Sequence, residues 1–188
     1  MQWNVPNVLT LLRILMIPLF VGVFYLPESL MSSPLRDFYA TLIFVLAAVT
    51  DWLDGYFARR LNQTSAFGAF LDPVADKLMV AAALIVLVEF GRVGAVVALI
   101  IIGREITISA LREWMAGIGQ GKGVAVAMIG KIKTAAQMIA IPFLLYSHPV
   151  AGIDAKLLGT GLIYVAAFLT LLSMAYYLRA AWPQMCKQ

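Results

Sequence analysis

Long apolar runs broken by short polar segments set the plan of this chain. Crossing the hydrocarbon core of a bilayer takes about 20 predominantly apolar residues. Six stretches meet that length, roughly residues 6–26, 37–60, 66–90, 93–115, 128–147 and 155–180. The breaks carry turn chemistry. "LPESLMSSPLRD" separates the first two runs, with Pro27 and Pro34 as breakers, and "LNQTSAFG" separates the next pair. "EFGRVG" is a tight reversal, "GIGQGKGVAVAMIGK" is rich in glycine, and "SHPVAGID" precedes the last run. No internal repeat or low-complexity segment stands out. The pattern predicts an all-α integral membrane protein, a bundle of six transmembrane helices in one domain over residues 1–188.

Composition supports the bilayer as solvent. The 188 residues are 62% hydrophobic and 13% charged, about half the charge of an ordinary soluble domain. Six spans place both termini on one side. Eleven of the 14 lysines and arginines then fall on that side, with Arg36, Arg92 and Lys156 on the other. Positive charge concentrates on the cytoplasmic side, so both termini are expected there. Trp3, Trp114 and Trp182 would lie at the same interface. The net charge of +4 suits anionic headgroups or an anionic substrate. A single cysteine, Cys186, excludes a disulfide within the chain and a cysteine metal site. "MQWNVPN" lacks a basic leader and reads as the start of a mature span, not a cleaved signal.

One segment breaks the apolar rule. "DWLDGYFARRLNQTSAFGAFLDPVADK" holds four of the ten acidic residues. Asp51 and Asp54 share one helix face, and Asp72 and Asp76 share a face of the next helix. A short reversal makes those helices antiparallel neighbours, so the pairs converge. Four close carboxylates repel in a low dielectric unless cations neutralise them. Hard oxygen ligands suit Mg²⁺, Mn²⁺ or Ca²⁺. Gly55 opens space beneath Arg59, Ala58 follows Asp54 by one turn, and Gly68 tops the stripe of Asp72 and Asp76. Metal-binding carboxylates, a phosphate-binding arginine and missing side chains suggest a nucleotide-diphosphate site. The plainer alternative is solvated helix caps, with Asp72 an N-cap before Pro73.

The spacing D-x2-D-G-x2-A-R-x8-G-x3-D-x3-D resembles the signature of the CDP-alcohol phosphatidyltransferases at every fixed position, from Asp51 to Asp76. The resemblance implies six transmembrane helices, a homodimer, and a two-metal site (Mg²⁺ or Mn²⁺) at the cytoplasmic face of a bacterial inner membrane. It implies that Asp51, Asp54, Asp72 and Asp76 reach the metals and that Asp76 is the general base. It assigns the CDP pyrophosphate to Arg59 and the metals, and the nucleotide pocket to Gly55, Ala58 and Gly68. CDP-diacylglycerol is the implied donor, with its acyl chains in membrane lipid.

Three further stretches bear on the substrates. Asn7, Thr10 and Arg13 recur every third residue at the start of the first span. They read either as a cap with a snorkelling arginine or, by the resemblance, as nucleotide and phosphate contacts at Asn7 and Thr10. Arg104 and Arg112, in "GREITISALREW", share a face, with Glu105 and Glu113 beside them. Lys131 and Lys133 open the fifth span. Several cations at one mouth predict an anionic acceptor, although loop anchoring also places cations there. "GREITISALREW" and "GKIKTAAQ" resemble the branch of the family that uses sn-glycerol 3-phosphate. Inositol phosphate, serine or phosphatidylglycerol as acceptor are the rivals within the family. A cation transporter is the rival outside it, although its acids would lie nearer the midplane in repeated halves. His148, the only histidine, falls in an outer loop away from the aspartates, and nothing points to nucleic acid.

Overall fold

The computed structural model describes residues 5–60, 66–117, 128–149 and 152–185. Among these it is all-helical: α1 (Val5–Phe24), α2 (Ser33–Arg60), α3 (Ala66–Glu89), α4 (Ala95–Gly117), α5 (Met128–Tyr146) and α6 (Ala155–Met185). The apolar runs therefore forecast every helix. Two of them, over Ser33–Leu53 and Ala155–Arg179, are long and apolar enough to cross a membrane by length and composition. Val8–Phe24 and Ile132–Tyr146 form shorter apolar helices. Two boundaries differ from the sequence expectation. Pro34 does not break the chain; it lies in the first turn of α2, where its missing N–H costs nothing. And α6 runs on to Met185.

α1 packs on α2 and α3, α5 on α6 and α2, and α4 on α6 and α3. The main core gathers Phe20, Phe44, Leu84, Leu87, Ile101, Ile141, Leu144 and Ile163. These come from one half of every helix, so the main core among the described residues lies toward the end away from the aspartates. α5 and α6 approach closely where Gly159 faces Leu144. A Cβ there would sit 2.8 Å from the Leu144 side chain and 3.1 Å from its backbone nitrogen. Small residues let helix backbones meet at such distances.

The same end is pinned by a polar knot. Gly91, at φ 65°, closes α3, with Arg92 N–H bonded to Leu87 O at 2.8 Å and Gly91 N–H to Val88 O at 3.0 Å. This left-handed glycine turn ends the helix by satisfying its last carbonyls. It delivers Arg92 to Asp37 on α2, where one guanidinium nitrogen meets both carboxylate oxygens at 2.8 and 2.7 Å. The other terminal nitrogen donates to the carbonyls of Leu144 and Leu145 at the end of α5. His148 Nε2 lies 3.4 Å from the same carboxylate. The lone histidine is thus part of a structural knot remote from the aspartates.

Candidate functional site: an aspartate cavity with buried cations

The polar start of α1 lies against the acidic ends of α2 and α3. Thr10 Oγ donates to Asp72 Oδ1 at 2.5 Å. Arg13, only 1% exposed, pairs with Asp51 at 2.6 Å. A stripe that could have been a solvated cap is therefore folded inward onto the carboxylates. α3 runs without interruption from Ala66 through Pro73. Asp72 is hence a mid-helix residue, and its N-cap reading does not hold. Gly68, two turns before Asp76 on the same stripe, is buried. The side chains of Asn7, Asp54, Gly55, Ala58, Arg59 and Lys131 lie outside the described ones, although their backbones belong to α1, α2 and α5.

Asp51 and Asp76 open into one cavity of about 260 Å³, which Lys77, Glu105, Thr134 and Gln137 also line. α2, α3, α4 and α5 each contribute a wall, and Asp51 and Gln137 meet there from positions 86 apart in the chain. A narrow gap bordered by Arg13, Asp51, Asp76 and Met138 lies beside it. Beyond that gap runs an apolar groove of about 250 Å³ between α2 and α5, lined by Phe44, Val45, Ala48, Val49, Trp52, Met138 and Pro142. Carboxylates and a greasy groove therefore adjoin, with Met138 on both sides.

Of the expected cations, Arg104 and Lys133 gather around a carboxylate that was not expected as a site residue, and Arg112 joins them at Tyr177. Glu105 accepts from Lys133, which is fully buried, and lies 3.5 Å from Arg104. Arg104, 6% exposed, also donates to Ser173 Oγ at 3.1 Å. Arg112 reaches the Tyr177 hydroxyl at 3.4 Å. Both arginines stack on the Tyr177 ring at 5.5 Å from its centroid, where the ring's quadrupole favours cations. α4, α5 and α6 thus bring Arg104, Arg112 and Lys133 together. Among the described residues, Glu105 stands at the cavity wall, and Arg104 and Lys133 reach the cavity through it. Two cations share one carboxylate, so the cluster keeps positive charge for an anion.

Glu105, Ser173, Tyr177 and Gln137 were not named as site residues from the sequence. Glu105 follows Arg104 directly, and Gln137 follows Lys133 by one helical turn. Both could have been found from that adjacency. Ser173 and Tyr177 lie in an apolar helix with no local signal, and only tertiary packing brings them in.

The carboxylates suit a divalent cation in donor chemistry. All candidate ligands are carboxylate oxygens, which hard cations such as Mg²⁺ and Mn²⁺ take and soft metals do not. Among the described residues no three acidic, histidine or cysteine side chains form a preassembled cluster. Asp51 and Asp72 are instead held by Arg13 and Thr10.

Comparison with known proteins gives the family. The family profile for CDP-alcohol phosphatidyltransferase matches residues 3–176. A protein of Escherichia coli strain K12 named CDP-diacylglycerol--glycerol-3-phosphate 3-phosphatidyltransferase is 52% identical over 190 residues, covering all of both chains. A protein of the same name from Shigella flexneri serotype 5b shows the same identity and coverage. With Asp51 of α2 and Asp76 of α3 lining one cavity and the family profile spanning nearly its whole length, the chain belongs to the CDP-alcohol phosphatidyltransferase family.

Proposed function

We propose that this protein transfers the phosphatidyl group of CDP-diacylglycerol to sn-glycerol 3-phosphate, forming phosphatidylglycerophosphate and CMP. The observation that carries the reading is the shared cavity. It joins Asp51 and Asp76 to Glu105 and its buried cations, and an apolar groove lies alongside. An enzyme joining a lipid to a water-soluble anion needs those three environments side by side. The full-length relatives named for this reaction support the choice of acceptor.

In this reading the six helices span a bacterial inner membrane as a homodimer, with termini and active site cytoplasmic. The acyl chains of the donor lie along the groove beside Trp52 and Met138. Arg59 holds the pyrophosphate, and Gly55, Ala58 and Gly68 leave room for the nucleotide, with Asn7 and Thr10 at its edge. Asp51, Asp54, Asp72 and Asp76 would hold two divalent cations, which when bound neutralise the pyrophosphate and the departing phosphate. Thr10 and Arg13 keep Asp72 and Asp51 aimed. Arg104, Lys133, Arg112 and Lys131 attract the acceptor phosphate, which displaces Glu105 from its cations. The C1 hydroxyl then points toward Asp76. Asp76 takes its proton, the oxygen forms a bond to the phosphorus bearing diacylglycerol, and the phosphoanhydride bond to CMP breaks.

Incorporation of radiolabelled glycerol 3-phosphate into lipid by purified protein, with CDP-diacylglycerol and Mg²⁺, tests the proposal. Labelled lipid and one equivalent of CMP are expected, both abolished by a chelator and by Asp51→Asn or Asp72→Asn. Labelled lipid with inositol phosphate or serine but not glycerol 3-phosphate would reassign the acceptor. Absence of CMP release with every acceptor would exclude a transferase.

A further inference from the structure

Resting on that reading, we infer that Gln137 is the residue that recognises the second, non-attacking hydroxyl of the acceptor and so sets its selectivity for a phosphorylated polyol. Gln137 is 3% exposed, yet its side-chain carbonyl oxygen has no hydrogen-bond partner among the described residues. It lines the cavity between Asp51, Asp76 and Glu105, with Thr134 one turn before it on α5. A buried amide oxygen without a donor costs stability. On a residue that lines the cavity, such an atom is complementary to a ligand that brings an O–H or N–H.

Helix geometry indicates which donor. Lys133 and Gln137 are four residues apart on α5, which separates them by about 6 Å along one face. Lys133 belongs to the cation cluster, and Gln137 lines the cavity together with Asp76. That span is comparable to the reach of a small polyol phosphate from phosphorus to hydroxyl. With its phosphate at the Lys133 level, the acceptor has its hydroxyls at the Gln137 level. Proton inventory then separates the hydroxyls. A hydroxyl has one proton to donate. The attacking oxygen gives its proton to Asp76, so the neighbouring hydroxyl is the one free to donate to Gln137. A site built to bond a hydroxyl rejects the analogue that lacks it, because the buried acceptor is then left unpaired.

The experiment compares glycerol 3-phosphate with propane-1,3-diol monophosphate, which keeps the attacking hydroxyl and the phosphate but lacks the central hydroxyl. The wild-type protein should prefer glycerol 3-phosphate by roughly 10- to 100-fold in kcat/KM. Gln137→Leu and the more closely shaped Gln137→Met should bring that ratio close to one. Most of the change should come from a loss with glycerol 3-phosphate, and the KM for CDP-diacylglycerol should stay within about twofold of wild type. Gln137→Glu, which retains an acceptor oxygen, should keep part of the preference. A purely structural role would lower both substrates equally and leave the ratio unchanged, and that result overturns the inference. So does a wild-type protein indifferent to the central hydroxyl. If the wild-type protein uses neither compound, the proposed function fails first, and the two failures are told apart.

Discussion

Arg92→Met offers a quantitative test of how the bundle is held together. Asp37 is 2% exposed, and Arg92 spans both of its oxygens at 2.8 and 2.7 Å. Removing the guanidinium leaves a buried carboxylate with the His148 imidazole 3.4 Å away. Breaking such a pair from one side costs about 3–5 kcal/mol. For a chain of this length each kcal/mol moves the melting temperature by about 2–4 °C. A drop of roughly 6–20 °C is therefore expected in tryptophan-fluorescence melts of detergent-purified protein at one fixed scan rate. The double variant Asp37→Leu with Arg92→Met removes both charges and should recover most of the loss, because two apolar groups leave no buried ion. Activity per folded molecule at 25 °C should hardly change. Glu89, the last residue of α3, lies 13 positions beyond Asp76, about 20 Å along the helix. A melt within about 2 °C of wild type, or a double variant as unstable as the single one, refutes the reasoning.

Three further outcomes follow from named contacts. Gly159→Val forces side-chain atoms into Leu144, which would lie only 2.8 Å from a Cβ at that position, and should cost about 1–3 kcal/mol in the same melts. Asp76→Asn should bind CDP-diacylglycerol normally but lower kcat by roughly 10²–10⁴-fold, as single-turnover kinetics with saturating donor would read. Thr10→Val removes the 2.5 Å bond that aims Asp72; it should raise the Mg²⁺ concentration for half-maximal activity several-fold and leave the KM for glycerol 3-phosphate unchanged.

The sequence by itself determined the helices, the acidic signature and the family, because each is a local property. Apolar length specifies a helix without knowledge of its neighbours, and spacings of three and four residues place Asp51 with Asp54 and Asp72 with Asp76 on shared faces. It also flagged Arg104, Arg112 and Lys133 as cations that belong together. What it left open were questions of partnership. Whether Asp72 capped a helix or faced inward depended on Thr10, 62 residues earlier in the chain. Whether Arg104 met solvent or protein depended on Glu105 and on Ser173, which lies 69 residues later in an apolar helix. Gln137 looked like any polar residue on an apolar helix until packing buried it in the cavity that Asp51 and Asp76 also line, without a partner for its carbonyl oxygen among the described residues. Helix periodicity gives the face a residue occupies, but the side chain across from that face is chosen by which helices pack together. In an apolar bundle that choice is made by small residues such as Gly159 and by buried polar pairs such as Asp37 with Arg92.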